Sequence, residues 1–285
     1  MSAVSTKLFH FGISTETFDF CKIFQDIKYV CCGGSQKRIV NLARHLADRF
    51  PINKPYGFMP ENLCKSDRYV MFKVGPVLCV NHGVGQGSVS IMLNELLKLL
   101  KLANCMDVII IRIGTCGGLG LAKGTVVISD SVVNGLLEEH YEMHILGNIH
   151  LKPTKLNKTL GSKLLSIAEE LKYAAVIGKT LSVNDFYEEQ ARVDGALCDF
   201  TFEEKLNFLN KAYNSGVKNI EMESSCFAAF CCRAGIKAAV ICVTLLDRLE
   251  GDVLNPNDPF SEWEKRPLKR FEKLLFANII HLFSK

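Results

Sequence analysis

Short apolar runs rich in β-branched residues alternate with helical patterns along nearly the whole chain, and few folds admit that alternation. Residues 28–32 read as a strand closed by Gly33-Gly34, after which Ile39, Leu42, Ala43 and Leu46 recur at helical spacing. Residues 69–74 and 77–81 flank Gly75-Pro76, a hairpin signal. A helix is expected over 90–102, with strands over 107–113, 125–129, 177–181, 219–222 and 237–244. Helices are expected over 164–171, 203–213 and 224–233, and residues 271–283 read as a closing helix. This order predicts an α/β fold, a mixed and largely buried sheet covered by helices. No Gly/Ser-rich linker, repeat or low-complexity tract interrupts the 285 residues, so one domain over 1–285 is expected. In such sheets ligands gather at the C-terminal ends of strands, which is where the polar motifs lie.

A hydrophobic content of 48% and a charged content of 22% are those of an ordinary soluble globular protein. The net charge of +4 is too small to argue for nucleic acid, and no Lys/Arg run is interleaved with aromatics. A few arginines converging on a small anion fit it better. The 12 cysteines include the adjacent pairs Cys31-Cys32 and Cys231-Cys232 but no C-x-x-C, so reduced thiols are expected rather than a disulfide framework. The N-terminus lacks a basic-then-apolar signal pattern, and the apolar run 238–246 is too short to span a bilayer. No membrane partner is expected, and the expected location is cytoplasmic.

Three constellations carry chemistry. Gly33-Gly34-Ser35-Gln36-Lys37-Arg38 follows a strand and opens a helix, where glycine lets backbone N–H groups approach an anion and the helix dipole favours it. Arg112-Ile113-Gly114-Thr115 ends an expected strand and adds a guanidinium and a hydroxyl. Glu221-Met222-Glu223 places two carboxylates and a thioether at a strand-to-helix junction. Each has a plainer alternative: a tight turn, a surface cap and an acidic helix start. In Phe186-Tyr187-Glu188-Glu189-Gln190-Ala191-Arg192, an extended backbone would point Gln190 and Arg192 the same way. An amide beside a guanidinium can satisfy C2=O, N3–H and C4=O of a uracil ring, whereas cytosine would leave an arginine donor unpaired. Phe186 offers a flat surface for that ring. The alternative is a solvated loop.

Other patterns carry less. His140-Tyr141-Glu142-Met143-His144 has two histidines four apart but not the H-E-x-x-H order, and reads as a solvated polar helix; no metal is expected. Gly83-Val84-Gly85-Gln86-Gly87-Ser88 spaces its glycines wrongly for a dinucleotide loop. Neither a triphosphate-binding G-x-x-x-x-G-K-[ST] nor a G-x-S-x-G elbow occurs.

Taken together, residues 111–115, 186–192 and 220–225 resemble the corresponding motifs of the uridine phosphorylases, dimeric eukaryotic members of the nucleoside phosphorylase-I superfamily, and the resemblance runs from about His10 to Asp252. It implies a twisted mixed β-sheet flanked by α-helices, and reversible phosphorolysis of uridine to uracil and ribose 1-phosphate in pyrimidine salvage. Inorganic phosphate would be a co-substrate, with no organic cofactor. Gly34, Arg38, Arg112 and Thr115 match the family's phosphate-binding positions, and Arg68 the arginine inserted from a neighbouring subunit. Glu223 and Met222, with Glu221 and Thr115 in support, match the ribose site, and His10 the histidine that reaches the 5′-hydroxyl across the dimer interface. Gln190, Arg192, Phe186 and Arg248 match the uracil site, with Arg112, Gln190 and Arg192 as the catalytic set. A homodimer follows, to which residues 1–25 would contribute. Asp247 departs from the Asn of several uridine phosphorylases and resembles the acid that purine-specific relatives use. A purine nucleoside phosphorylase, a nucleosidase on the same fold and a non-catalytic nucleoside-binding paralogue are the alternatives.

Overall fold

The computed structural model describes residues 5–49, 59–170 and 172–253; the helix expected over 271–283 lies outside them. The chain forms two compact units, one running to Ile113 with Ala234–Lys237, the other Gly114–Arg233 with the residues from Ala238 onward. The fold class is α/β, with a central mixed sheet and helices.

In the first unit the elements are β1 (Lys7–Leu8), β2 (Ile13–Ser14), α1 (Phe20–Phe24), β3 (Tyr29–Gly33), α2 (Gln36–Arg49), β4 (Met71–Val74), β5 (Val77–Asn81) and α3 (Gly85–Leu102). They are followed by β6 (Ile109–Gly118), which starts here and runs on into the second unit. β3 is parallel to both β5 and β6, and β4 returns antiparallel to β5 through Gly75 (φ +52°) and Pro76, as the hairpin signal predicts. Val30, Cys31, Cys32, Leu78, Cys79 and Val80 are buried, the near-continuous apolar content of strands covered on both faces. The expected helical stripe of α2 is observed too: Ile39, Leu42, Ala43 and Leu46 are its buried side.

The second unit holds β7 (Val126–Val133), β8 (His140–Ile145), β9 (Asn148–Pro153), α4 (Lys158–Glu170), β10 (Ala175–Ser182), α5 (Phe202–Asn214), β11 (Val217–Glu221) and all but one end residue each of α6 (Ser224–Ala234) and β12 (Lys237–Asp247). β10 pairs in parallel with β7 and β11, while β12 runs antiparallel to β7. Leu119, Val133, Leu181, Val183, Ala191, Leu209, Ala212, Val217 and Ile220 form one core cluster. It anchors the 186–192 loop, through Ala191, to the sheet and to α5.

Three expectations need correction. The strand expected to end at Ile113 continues to Gly118, because Gly117 and Gly118 pair with Ile220 and Asn219; Arg112 is therefore mid-strand and buried, not a surface cap. Glycines there mask the apolar pattern without preventing pairing. The helix expected from Ser90 begins at Gly85, so the Gly83–Ser88 glycines are a helix entry, with Gly83 at φ +71°. Finally, 140–144 is a strand and not a helix. Leu146 and Gly147 both take left-handed φ and close a two-residue hairpin between β8 and β9, with Ile145 opposite Asn148.

Candidate active site

In the first unit the turn from β3 into α2 tolerates no side chain. A Cβ on Gly33 would lie 2.8 Å from the Ile113 carbonyl oxygen, and one on Gly34 would lie 2.9 Å from that of Gly83. Backbone is therefore packed on backbone at the mouth of a helix, where the helix dipole favours an anion. Ser35 Oγ accepts from the Arg38 N–H at 3.4 Å, and Arg38 stands half-buried in the first turn of α2. His82, the residue after β5, lies against this turn, its Cε1 3.7 Å from where a Gly34 Cβ would stand. The ring is fully buried, and Nδ1 is 2.9 Å from the Gly83 carbonyl oxygen. Because a carbonyl only accepts, Nδ1 carries the hydrogen. Burial first, then the guanidinium of Arg112 and to a lesser extent that of Arg38, hold the imidazole well below the usual histidine range, so it is neutral. Gly34, Arg38 and Arg112 are thus gathered around one uncharged histidine, which the sequence motifs missed. Its only signal was a polar residue just beyond an apolar strand.

His10 and Arg68 are tied to a common hydroxyl. Ser66 Oγ donates to the His10 carbonyl and accepts from the Arg68 N–H at 3.4 Å. The buried Glu95 of α3 accepts from the N–H groups of His10 and Phe11, each at 2.8 Å, and its carboxylate lies 2.9 Å from His10 Nδ1. Glu95, too, went unrecognised in the sequence. The Arg68 side chain is exposed and the His10 ring half-exposed.

In the second unit the 186–192 segment is not extended as expected. Glu188–Gln190 form a 3-10 turn, and Ala191 takes a left-handed conformation at φ +53°. The turn still buries both side chains of interest, Gln190 and Arg192, at 5% and 9% exposure. Arg192 donates from Nε and Nη2 to the two oxygens of Asp194 at 2.9 and 2.5 Å, and its guanidinium carbon lies 4.6 Å from the Phe186 ring centroid. Phe186 therefore covers the arginine. Arg248, almost wholly buried, donates from Nη1 to Gln190 Oε1 at 3.3 Å and from Nη2 to the Gln190 carbonyl at 2.6 Å. That contact orients the amide, with its oxygen beside Arg248 and its NH2 free to donate. Behind Arg248, Asp252 accepts from its Nε at 3.0 Å and from Lys205 Nζ at 2.6 Å.

At the entry to α6, the Glu221 carboxylate accepts from the N–H groups of Glu223 and Ser224 at 3.1 and 3.0 Å, which caps the helix. Glu223 is buried beside it, and Met222 and Thr115 are half-buried. Asp247 Oδ1 accepts from the N–H groups of Gly120 and Leu249, both at 3.0 Å, and so holds a turn. A cleft of about 460 Å³ lined by residues 120–123, 245–247, 250, 251 and 253 contains none of the phosphate, ribose or uracil candidates. Among the described residues no group of three His, Cys, Asp or Glu side chains could hold a metal, and no helix is long and apolar enough to cross a membrane.

A family model described as Phosphorylase superfamily matches residues 28–279. The chain is 45% identical over 275 residues to Uridine phosphorylase 2 from Homo sapiens, covering 96% of this chain and 85% of that protein. It is 41% identical over 262 residues to Inactive uridine phosphorylase B from Schistosoma mansoni, covering 90% and 87%. The solved structure of uridine phosphorylase from Schistosoma mansoni in complex with thymidine matches with a TM-score of 0.89 at 40% identity, over 96% of this chain and 94% of that one. With its motifs, its α/β sheet and these likenesses in agreement, the chain belongs to the phosphorylase superfamily and, within it, to the uridine phosphorylases.

Proposed function

We propose that this protein catalyses the reversible phosphorolysis of uridine to uracil and ribose 1-phosphate, as a step of pyrimidine salvage in the cytoplasm. Residues 1–285 act as one domain in a homodimer, with inorganic phosphate as co-substrate and no organic cofactor or metal in any step. The observation that carries this reading is the buried amide of Gln190, oriented by Arg248 and neighboured in sequence by the buried Arg192. Gln190 Oε1 accepts from N3–H of uracil and its NH2 donates to a flanking carbonyl, while Arg192 turns from Asp194 towards the base. As the C1′–N1 bond lengthens, its electron pair moves into the uracil ring. Arg192 and Gln190 stabilise that charge, and the base then takes a proton from water. A phosphate oxygen forms the new bond to C1′, presented by Gly34, Arg38, Arg112 and Thr115, with Arg68 of the partner subunit closing over the anion. Glu223 and Met222 hold the ribose, Glu221 stabilises their turn, and His10 of the partner subunit reaches the 5′-hydroxyl.

Against the purine alternative, Asp247 is tied into a turn, its Oδ1 accepting from two backbone N–H groups. Uridine, cytidine and inosine assayed side by side with phosphate test the base assignment. Uridine alone is expected to turn over well; equal turnover of inosine would reject it.

A further inference from the structure

Lys205 belongs to none of the substrate-binding groups, yet it is one of the most deeply buried charges in the second unit. Its ammonium, on a side chain only 3% exposed, donates to Asp252 at 2.6 Å. Asp252, 4% exposed, binds the 1%-exposed Arg248, and Arg248 binds both oxygens of Gln190. Among the described residues two buried cations therefore face one buried anion, and one positive charge is left over behind the amide that grips the base. Burying an unbalanced cation is costly, so such a cluster usually ends in a neutral pair. Burial pulls the Arg248 pKa down, and Asp252 partly opposes it. Asp252 itself stays below the usual carboxylate range: burial works against this, but the hydrogen bond from Lys205 and the charge of Arg248 outweigh it. Asp252 is therefore held as the carboxylate between its two basic partners. The neighbouring Arg192 differs, because its charge is offset by Asp194.

We infer that Lys205 is a positioning residue for leaving-group departure: through Asp252 and Arg248 it keeps a net positive charge against Gln190, which stabilises the base as it becomes an anion. The inference rests on the uracil assignment of Gln190. It adds a source of electrostatic preorganisation that touches no substrate. Charge acting through two intervening side chains still counts, because the low local polarity screens it less than water would.

The test is the ratio of turnover on 5-fluorouridine to turnover on uridine. Fluorine withdraws electrons, so 5-fluorouracil leaves more readily and needs less help. Lys205→Met, which leaves the cluster neutral, is expected to slow uridine about tenfold and 5-fluorouridine about threefold or less. Lys205→Arg should keep the wild-type ratio. The double variant Lys205→Met with Asp252→Asn removes one charge of each sign, restores the single excess cation and should bring the ratio back towards wild type. Asp252→Asn alone raises the excess charge and should move the ratio the opposite way, which keeps the test decisive if Lys205→Met fails to fold. Equal slowing of both substrates in Lys205→Met, or a double variant as biased as the single, would overturn the inference by leaving Lys205 a merely structural role. Wild-type protein that releases no uracil from uridine would instead sink the assignment beneath it.

Discussion

Arg192 is held in readiness by two neighbours of opposite character, the Asp194 carboxylate and the Phe186 ring. If its task is to meet charge developing on the departing base, Arg192→Ala should lower turnover by about two orders of magnitude while the phosphate KM changes little. Steady-state kinetics with each substrate varied in turn checks this; unchanged turnover would reject the role. His82 makes a separate prediction. The folded chain holds its pKa well below the unfolded value, so the unfolded chain takes up more protons as pH falls. Stability present above the ordinary histidine pKa of about 6.5 is then lost as pH drops below it, at up to about 1.4 kcal/mol per pH unit. Urea titrations between pH 5 and 7.5 should show that loss, and His82→Gln should flatten it. At this scale the motifs were legible because paired polar residues stood out against apolar surroundings. His82, Glu95, Asp194, Lys205 and Asp252 were not, since each acquires meaning only from a partner distant in sequence or from burial.

Among the elements, the β3–α2 turn is the most constrained. Gly34→Ala would put a methyl 2.9 Å from a backbone oxygen that cannot swing aside. It should cost about 1–3 kcal/mol of stability and raise the phosphate KM at least about tenfold. Thermal unfolding and phosphate-dependent kinetics measure the two effects; a variant with both unchanged would show that the close approach has no consequence. Strands and helices with a clean apolar period, such as β3, β5 and α2, were readable from sequence. The misread boundaries share a cause. Glycines hid the pairing of β6 beyond Ile113 and the first turn of α3, and the left-handed pair Leu146-Gly147 turned an apparent helix into a hairpin.

For the molecule as a whole, the proposed homodimer makes Arg68 and His10 serve the partner's site. Mixing an Arg68→Ala chain with a Gln190→Ala chain should then regenerate roughly one competent site per mixed dimer, and activity should rise on mixing; no recovery would count against site sharing. Fold class and family were legible because the motifs recur in order along the chain, whereas assembly was not, since a surface announces no partner in its own sequence. Likeness both to Uridine phosphorylase 2 and to Inactive uridine phosphorylase B gives one measurement priority. Purified protein incubated with uridine, with and without inorganic phosphate, should release uracil and ribose 1-phosphate in equal amounts, and only when phosphate is present. Uridine binding without product, or uracil release that ignores phosphate, would contradict the account.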